Sequence, residues 1–349
     1  MSEKFHIGIT RDFLTETGEP LCKDMGLDLL DEQPHVTYAY FSEKRNPVTP
    51  DQLRDCDGVI SLGVRYTRES FEGVERLTAI ARFGVGYEMI DLQAATDANV
   101  AVFITPDGVR RPVAEGVLTF MLALSKKLLI KDRLTRTGRW REHFRHEGTL
   151  LGGRTLGIIG LGNIGSELAR LVAIFPMRVL AFDPYVKPEH AASLNVTLTD
   201  LDTLLRESDF VSVNCPLTPE TRHLIGEREF ALMKPTAYFI NAARGPIVDQ
   251  KALYNALTSG QIAGAGIDVF EVEPVPPDEP LLQLDNVILT PHAIDWTQET
   301  LRGCGVADCL GLLKVSRGEV PDHVVNKAVL DKPAFQAKLR RYRDKISHG

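Results

Sequence analysis

Short apolar runs alternate along this chain with stretches whose apolar positions recur every three to four residues. The first series of runs is Phe5 to Ile9, Val36 to Tyr40, Gly58 to Leu62, Thr78 to Arg82 and Val100 to Ile104. The second is Arg154 to Gly160, Arg178 to Phe182, Phe210 to Asn214, Ala237 to Asn241, Gly264 to Phe270 and Asn286 to Thr290. Short strands spaced by helices read as βαβ units. They are too many for one ordinary open sheet, so the pattern predicts an α/β protein with two doubly wound parallel-sheet domains. Val113 to Leu134 reads as one long helix, apolar over most of its surface and therefore buried against another domain or subunit. A second helical pattern, from Thr300 to about Ser316, would return the chain to the first domain and make that domain discontinuous. The Lys- and Arg-rich end, Lys332 to Gly349, reads as a solvated helix or tail.

Composition narrows the class. The 349 residues suffice for about two domains and a sizeable core. Forty basic and 47 acidic side chains leave a net charge of −7, which argues against a general nucleic-acid binder. The five cysteines, Cys22, Cys56, Cys215, Cys304 and Cys309, form no C-x-x-C pair. That gives no support to a zinc or dithiol motif and suits reduced thiols in the cytoplasm. Met1 to Thr10 shows no apolar leader core, and Glu115, Ser125, Lys126 and Lys127 interrupt the longest apolar stretch, so no membrane span is expected. His143 and His146 beside Trp140 read as part of a surface arm, and no metal site is expected.

Candidate chemistry begins at Gly160-Leu161-Gly162-Asn163-Ile164-Gly165, between a strand and the helical run Ser166 to Phe175. The first glycine permits a tight turn, the second lets backbone approach a pyrophosphate, and the third lets helix and strand pack closely; the helix N-terminus faces the negative charge. Asp183 ends the next strand, where a carboxylate accepts hydrogen bonds from ribose hydroxyls and repels a 2′-phosphate. Pro184-Tyr185 supplies no compensating arginine, which favours NAD over NADP. The plainer role for Asp183 is a turn-forming aspartate before proline.

Three polar residues then follow at strand ends: Arg244 after Asn241, Glu273 before Pro274, and His292 after Pro291. In open parallel sheets ligands gather outside the carboxyl ends of strands. An arginine can hold a planar carboxylate and polarise a carbonyl. A histidinium can protonate a forming alkoxide, and a carboxylate on its other nitrogen orients the ring and favours its cation. Taken singly, each residue also has an ordinary role as a strand-end salt bridge, loop carboxylate or capping histidine.

The motifs ARFGVGYEMID (Ala81 to Asp91), VAE (Val113 to Glu115), GRTLGIIGLGNIG (Gly153 to Gly165), NCPLTPETRHLIG (Asn214 to Gly226), NAARGPIVD (Asn241 to Asp249), GIDVFEVEP (Gly266 to Pro274) and TPH (Thr290 to His292) occur in this order. The run resembles the D-isomer-specific 2-hydroxyacid dehydrogenases. The resemblance implies a Rossmann NAD-binding domain, residues 105–298, inserted into a flavodoxin-like substrate domain, residues 1–104 and 299–330, with 331–349 as the basic C-terminal helix or tail. It implies Arg244, Glu273 and His292 as the catalytic set, and Gly84, Val85 and Gly86 as backbone donors to the substrate carboxylate. It implies Gly160, Gly162, Asn163, Ile164, Asp183, Cys215, Pro216, Thr218, Ala242, Asp268 and His292 as the NAD contacts, with Asp268 on the nicotinamide carboxamide. It also implies a small 2-hydroxy or 2-oxo acid as substrate and a homodimer formed through the NAD-binding domain.

Several residues depart from the family pattern. Gly116 stands where many members carry a bulky residue, Arg110-Arg111 precedes the VAE motif, and Trp296 lies in a stretch that is usually smaller and glycine-rich. Arg65, at the end of a first-domain strand, and Trp296 are candidate substrate contacts; Arg65, Arg110 and Arg111 would suit a polar or anionic substrate tail, though surface salt bridges are the plainer reading. The expected activity is an NAD-dependent D-2-hydroxyacid dehydrogenase or 2-oxo acid reductase. Phosphoglycerate-dehydrogenase-like or hydroxypyruvate and glyoxylate reductase activity are variants within the family. Formate dehydrogenases carry Gln where Glu273 stands, and an NADH-sensing binding protein of the same fold is the alternative from another class.

Overall fold

The computed structural model describes residues 4–347. They form two compact units, one built from residues up to Val109 and from Thr297 onward, the other from Arg110 to Trp296.

The first unit contains β1 (Phe5–Ile9), β2 (Val36–Tyr40), β3 (Gly58–Ser61), β4 (Ala79–Arg82) and β5 (Ala101–Ile104), all parallel, in the order β2-β1-β3-β4-β5. Ile7, Ile9, Val59, Ile60, Ile80 and Val102 are wholly buried along these strands, which is why the runs read as continuously apolar rather than alternating. Strand order reverses between β1 and β3, the pattern that opens a crevice at the carboxyl ends of the strands. The helix Gln298–Ser316 packs on β4.

The basic C-terminus is a helix, one of the two forms expected, but it is docked rather than solvated. Residues Pro333–Ser347 form a helix whose Phe335, Leu339 and Tyr342 are buried. Tyr342 Oη donates to Asp57 Oδ1 at 2.7 Å, and the Arg76 guanidinium and His6 N–H donate to Asp57 Oδ2 at 2.6 and 2.7 Å. Lys338 Nζ donates to the carbonyls of Leu77, Ala98 and Asn99. Apolar residues recur on one face among the charges, and that face docks the helix.

The second unit contains β6 (Thr155–Ile159), β7 (Arg178–Phe182), β8 (Thr197–Leu198), β9 (Phe210–Val213), β10 (Tyr238–Asn241), β11 (Gly264–Ile267) and β12 (Val287–Leu289). They lie parallel in the order β12-β11-β10-β9-β6-β7-β8. One core holds Phe230, Phe239, Leu253 and Leu281; the other holds Phe120, Leu156, Leu168 and Phe210. Each face of the sheet is thus covered, and the order reverses between β6 and β9.

The expected single helix from Val113 to Leu134 is two helices, Pro106–Ser125 and Leu128–Arg136. Lys127 between them adopts a left-handed conformation with φ of 52°. The break is stabilised from outside: Thr149 N–H donates to Ser125 O, and Lys126 Nζ donates to Thr149 O, both at 2.8 Å. Leu128 and Leu129 are about half exposed, so the second segment is not the buried helix its apolar content suggested.

Candidate active site

The glycine loop gives each glycine a distinct task. Gly160 follows β6 with φ of 94°, and a Cβ there would lie 2.7 Å from the backbone nitrogen of Cys215. A Cβ on Gly165 would lie 2.1 Å from the carbonyl oxygen of Gly160, so that position seals helix against strand. Gly162 caps the helix Asn163–Val172, and a Cβ on it would meet nothing within 4 Å. Space is open beside the middle glycine, where backbone N–H groups begin a helix, as a pyrophosphate requires. These residues fit a dinucleotide.

Asp183 plays the turn role and remains chemically able to play the other. Its Oδ2 accepts from Leu161 N–H at 2.8 Å, and its Oδ1 accepts from Tyr185 and Val186 N–H at 2.9 and 3.1 Å. A carboxylate has about four acceptor positions, so ribose hydroxyls still find lone pairs. Cys215, beside the loop, has its thiol pushed up to about 11 by burial, which keeps it protonated and inert at neutral pH.

The polar constellation of this unit grows from the ends of β10, β11 and β12. Asn241 ends β10, and its side chain binds the Arg244 carbonyl and the Ala243 N–H, each at 3.0 Å, fixing the turn that presents Arg244. Gly245 is obligatory there: a Cβ would lie 1.9 Å from the Phe270 carbonyl oxygen. Asp268, buried after β11, accepts on Oδ1 from Thr290 Oγ1, Ala293 N–H and Ile294 N–H at 2.6, 2.8 and 3.1 Å. Its carbonyl accepts from His292 N–H at 2.7 Å. These bonds hold His292 in a left-handed turn with φ of 52°. Asp268 therefore shapes the histidine turn with one oxygen, a role the sequence did not disclose; among the described residues Oδ2 accepts no hydrogen bond.

Glu273 completes the set. Its Oε2 meets His292 Nδ1 at 2.7 Å, and its Oε1 accepts from Phe270 N–H at 2.9 Å. Partial burial opposes ionisation of Glu273. The hydrogen bond and charge of His292, the Phe270 N–H and the Arg244 charge outweigh it and hold the carboxyl below its usual range. A carboxylate on Nδ1 leaves Nε2 as the nitrogen that can exchange a proton with a ligand.

Arg244, Asp268, Glu273 and His292 are thus assembled within one unit. Trp296 belongs to the same unit and is partly exposed, its backbone N–H donating to Ala293 O at 3.1 Å. Gly84, Val85, Gly86 and Arg65 lie in the other unit. There Gly84 has φ of 107°, and its N–H donates to Thr105 Oγ1 at 2.8 Å. Arg65 is exposed. Arg111 forms salt bridges with Glu115 and Glu167 at 2.6 and 3.0 Å, the plainer of its two expected roles.

Known proteins resemble this chain in sequence and in fold. Residues 118–293 match the family model described as D-isomer specific 2-hydroxyacid dehydrogenase, NAD binding domain. A glyoxylate reductase of Korarchaeum cryptofilum is 39% identical over 90% of this chain and 96% of its own. A D-3-phosphoglycerate dehydrogenase of Methanocaldococcus jannaschii is 40% identical over 88% of this chain but only 58% of its own. The crystal structure of a D-lactate dehydrogenase from Aquifex aeolicus, complexed with NAD and lactic acid, superposes with a TM-score of 0.78 at 28% identity, covering 90% of this chain and 96% of that one. With a glycine loop open at its middle residue and a carboxylate-bound histidine at the strand ends, the chain belongs to the D-isomer specific 2-hydroxyacid dehydrogenases, NAD-dependent oxidoreductases of 2-hydroxy and 2-oxo acids.

Proposed function

We propose that this enzyme reduces a small 2-oxo acid of the glyoxylate or hydroxypyruvate type, with Arg244, Glu273 and His292 as its catalytic residues. The observation that carries the reading is the 2.7 Å contact between Glu273 Oε2 and His292 Nδ1. It engages Nδ1 and so leaves Nε2 to donate a proton to the forming alkoxide. Arg244 offers a planar fork of donors to the substrate carboxylate and carbonyl oxygen. Val85 and Gly86 are assigned as backbone donors to that carboxylate, with Arg65 and Trp296 as further substrate contacts; Gly84, whose N–H is committed to Thr105 Oγ1, is left to shape the loop.

The NAD contacts are assigned to Gly160, Gly162, Asn163, Ile164, Asp183, Cys215, Pro216, Thr218, Ala242, Asp268 and His292. The cofactor supplies the hydride. Asp268 Oδ2 is suited to accept from the nicotinamide carboxamide, because Oδ1 is already committed to the histidine turn.

The assembly is proposed to be a cytoplasmic homodimer formed through the NAD-binding unit. Trp140, Phe144 and Leu150 are each more than 60% exposed, and they follow the half-exposed Leu128 and Leu129. A concentration of exposed large apolar groups on one stretch marks a protein interface. No helix among the described residues is long and apolar enough to cross a membrane.

The test is NADH oxidation with glyoxylate, hydroxypyruvate, pyruvate, branched and aromatic 2-oxo acids, and phosphohydroxypyruvate. Highest kcat/KM for glyoxylate or hydroxypyruvate is expected. Highest efficiency with phosphohydroxypyruvate would favour the phosphoglycerate-dehydrogenase variant, and no turnover with any of them would favour an NADH-sensing role.

A further inference from the structure

A second histidine–carboxylate pair stands beside the first. His223 Nε2 hydrogen-bonds Glu271 Oε1, and Glu271 lies two residues before Glu273. Like His292, His223 sits in a left-handed conformation, with φ of 50°. A left-handed backbone at a non-glycine residue persists where surrounding bonds enforce it. Here His223 N–H donates to Pro246 O at 2.9 Å, Ile225 N–H donates to Ile247 O at 3.2 Å, and Asp249 N–H donates back to Ile225 O at 2.9 Å.

These bonds join three segments. The segment Asn214–Gly226 is laced to the turn Arg244–Asp249. That turn touches the segment Asp268–Glu273, since Gly245 abuts the Phe270 carbonyl and Gln250 Oε1 accepts from Glu271 N–H at 3.0 Å. The His223–Glu271 pair closes the triangle from the outside. Inside it, Phe270 N–H holds Glu273 Oε1 at 2.9 Å, and Glu273 Oε2 holds His292. One continuous path of covalent and hydrogen bonds therefore runs from His223 through Glu271 and Phe270 to Glu273 and His292.

The pair is poorly placed to matter for stability. The side chains are 45% and 31% exposed, and exposed ion pairs add little to stability. It is well placed to matter for geometry, because constellations that do chemistry tolerate only about 0.5 Å of displacement. We propose that His223 and Glu271 are positioning residues, whose side-chain pair fixes the Asp268–Glu273 segment and so aims the Glu273–His292 couple. This rests on the proposed catalytic role of that couple. The pair needs only a hydrogen on Nε2, so it works whether His223 is neutral or charged. Besides the pair itself, the charged groups on the three segments are Glu220, Arg222, Arg244, Asp249, Asp268 and Glu273.

The experiment compares His223→Ala, Glu271→Ala, the double variant and His223→Gln, whose side-chain amide can replace the Nε2 donor. Both single alanine variants should lose about tenfold in kcat while KM for the 2-oxo acid and thermal midpoint change little. The double variant should be no worse than either single one, because the two residues act as a unit. His223→Gln should recover most of the lost turnover. Loss of thermal stability with unchanged kcat would make the pair merely structural and overturn the proposal, as would losses that multiply in the double variant. Glu271→Ala keeps the test valid if the left-handed position rejects alanine. His292→Asn, measured alongside, separates the two assignments. If it keeps full turnover, the catalytic reading fails; if it is inactive while His223→Ala and Glu271→Ala match the parent, only the positioning role fails.

Discussion

Gly116 lacks a side chain where Ile294 fills the space one would need. A Cβ on Gly116 would lie 2.8 and 2.9 Å from Ile294 Cγ1 and Cγ2, and 3.3 Å from the Ile294 carbonyl oxygen. Ile294 N–H in turn donates to Asp268 Oδ1, the atom that shapes the His292 turn. The departure at Gly116, a small residue on the helix, is thus matched in volume by a large side chain after the histidine.

Gly116→Ala should therefore push on the histidine turn. We expect a loss of about 1–3 kcal/mol in stability, the usual cost of overpacking, and a several-fold fall in kcat. Ile294→Ala in the same chain should restore both. Thermal denaturation and steady-state kinetics check this; an unchanged Gly116→Ala enzyme would show that the helix yields freely there.

Much of this was legible in the sequence because parallel strands buried on both faces read as unbroken apolar runs. Phe5–Ile9, Val36–Tyr40 and Arg178–Phe182 match their runs residue for residue. Thr197–Leu198 escaped notice because two residues carry no periodicity. The break of the long helix at Lys127 leaves no local signal in the sequence, because a distant segment, Gly148-Thr149, ends it. The docking of the C-terminal helix is hidden in the sequence because Phe335, Leu339 and Tyr342 are outnumbered by charges, although their spacing of four and three fits one helical face. Arg244, Glu273 and His292 could be picked out by their place after strands. The structural work of Asp268 and the His223–Glu271 pair could not, since both depend on side chains meeting across segments far apart in the chain.

Cofactor choice should rest on Asp183. We expect at least about a tenfold preference for NADH over NADPH, equivalent to about 1.4 kcal/mol. Asp183→Ala should erode it, and should also loosen the glycine loop through the lost bond to Leu161 N–H. Equal kcat/KM for the two cofactors in the parent enzyme would remove this role.

Arg244→Lys should lose most of the reductase activity with little change in NADH affinity. One ammonium cannot reproduce two parallel donors, and the Arg244 side chain also donates to Ala243 O at 2.6 Å within its own turn. NADH titration by fluorescence and turnover with saturating 2-oxo acid separate the two effects. Weakened NADH binding with intact turnover at saturation would assign Arg244 to the cofactor.

Asp308 is wholly buried in the helix Gln298–Ser316, and neither carboxyl oxygen has a hydrogen-bond partner among the described residues. Burial raises its pKa well above the usual carboxylate range, against the opposing charge of Arg82. In the unfolded chain the group ionises near its ordinary value, so the folded state binds the extra proton. Stability must then fall as pH rises from the ordinary carboxylate range toward the raised folded-state value. Asp308→Asn, which cannot ionise, should be more stable than the parent at neutral pH by about 1–2 kcal/mol, and the gap should vanish in acid. Thermal midpoints of both proteins across pH decide it; a constant gap would mean that Asp308 does not titrate on unfolding.

Glu273→Gln keeps the shape of the side chain and removes its charge. Glu273 titrates below the usual carboxylate range, so it is ionised throughout the working pH of the enzyme. Its Oε2, 2.7 Å from His292 Nδ1, can then only accept, which keeps a hydrogen on Nδ1 and leaves Nε2 to serve the substrate. An amide can donate there instead and hold the ring in the other tautomer. The Gln variant should therefore lose about 100-fold in kcat for both reduction of the 2-oxo acid and oxidation of the hydroxy acid, with KM little changed. Acid should inactivate the parent as Glu273 takes up its proton, below the usual carboxylate range, and the variant should lack that limb. Paired pH–rate profiles, forward and reverse, provide the measurement. If both profiles of the variant superimpose on the parent's, Glu273 does not govern the proton on His292, and the pair is a structural contact only.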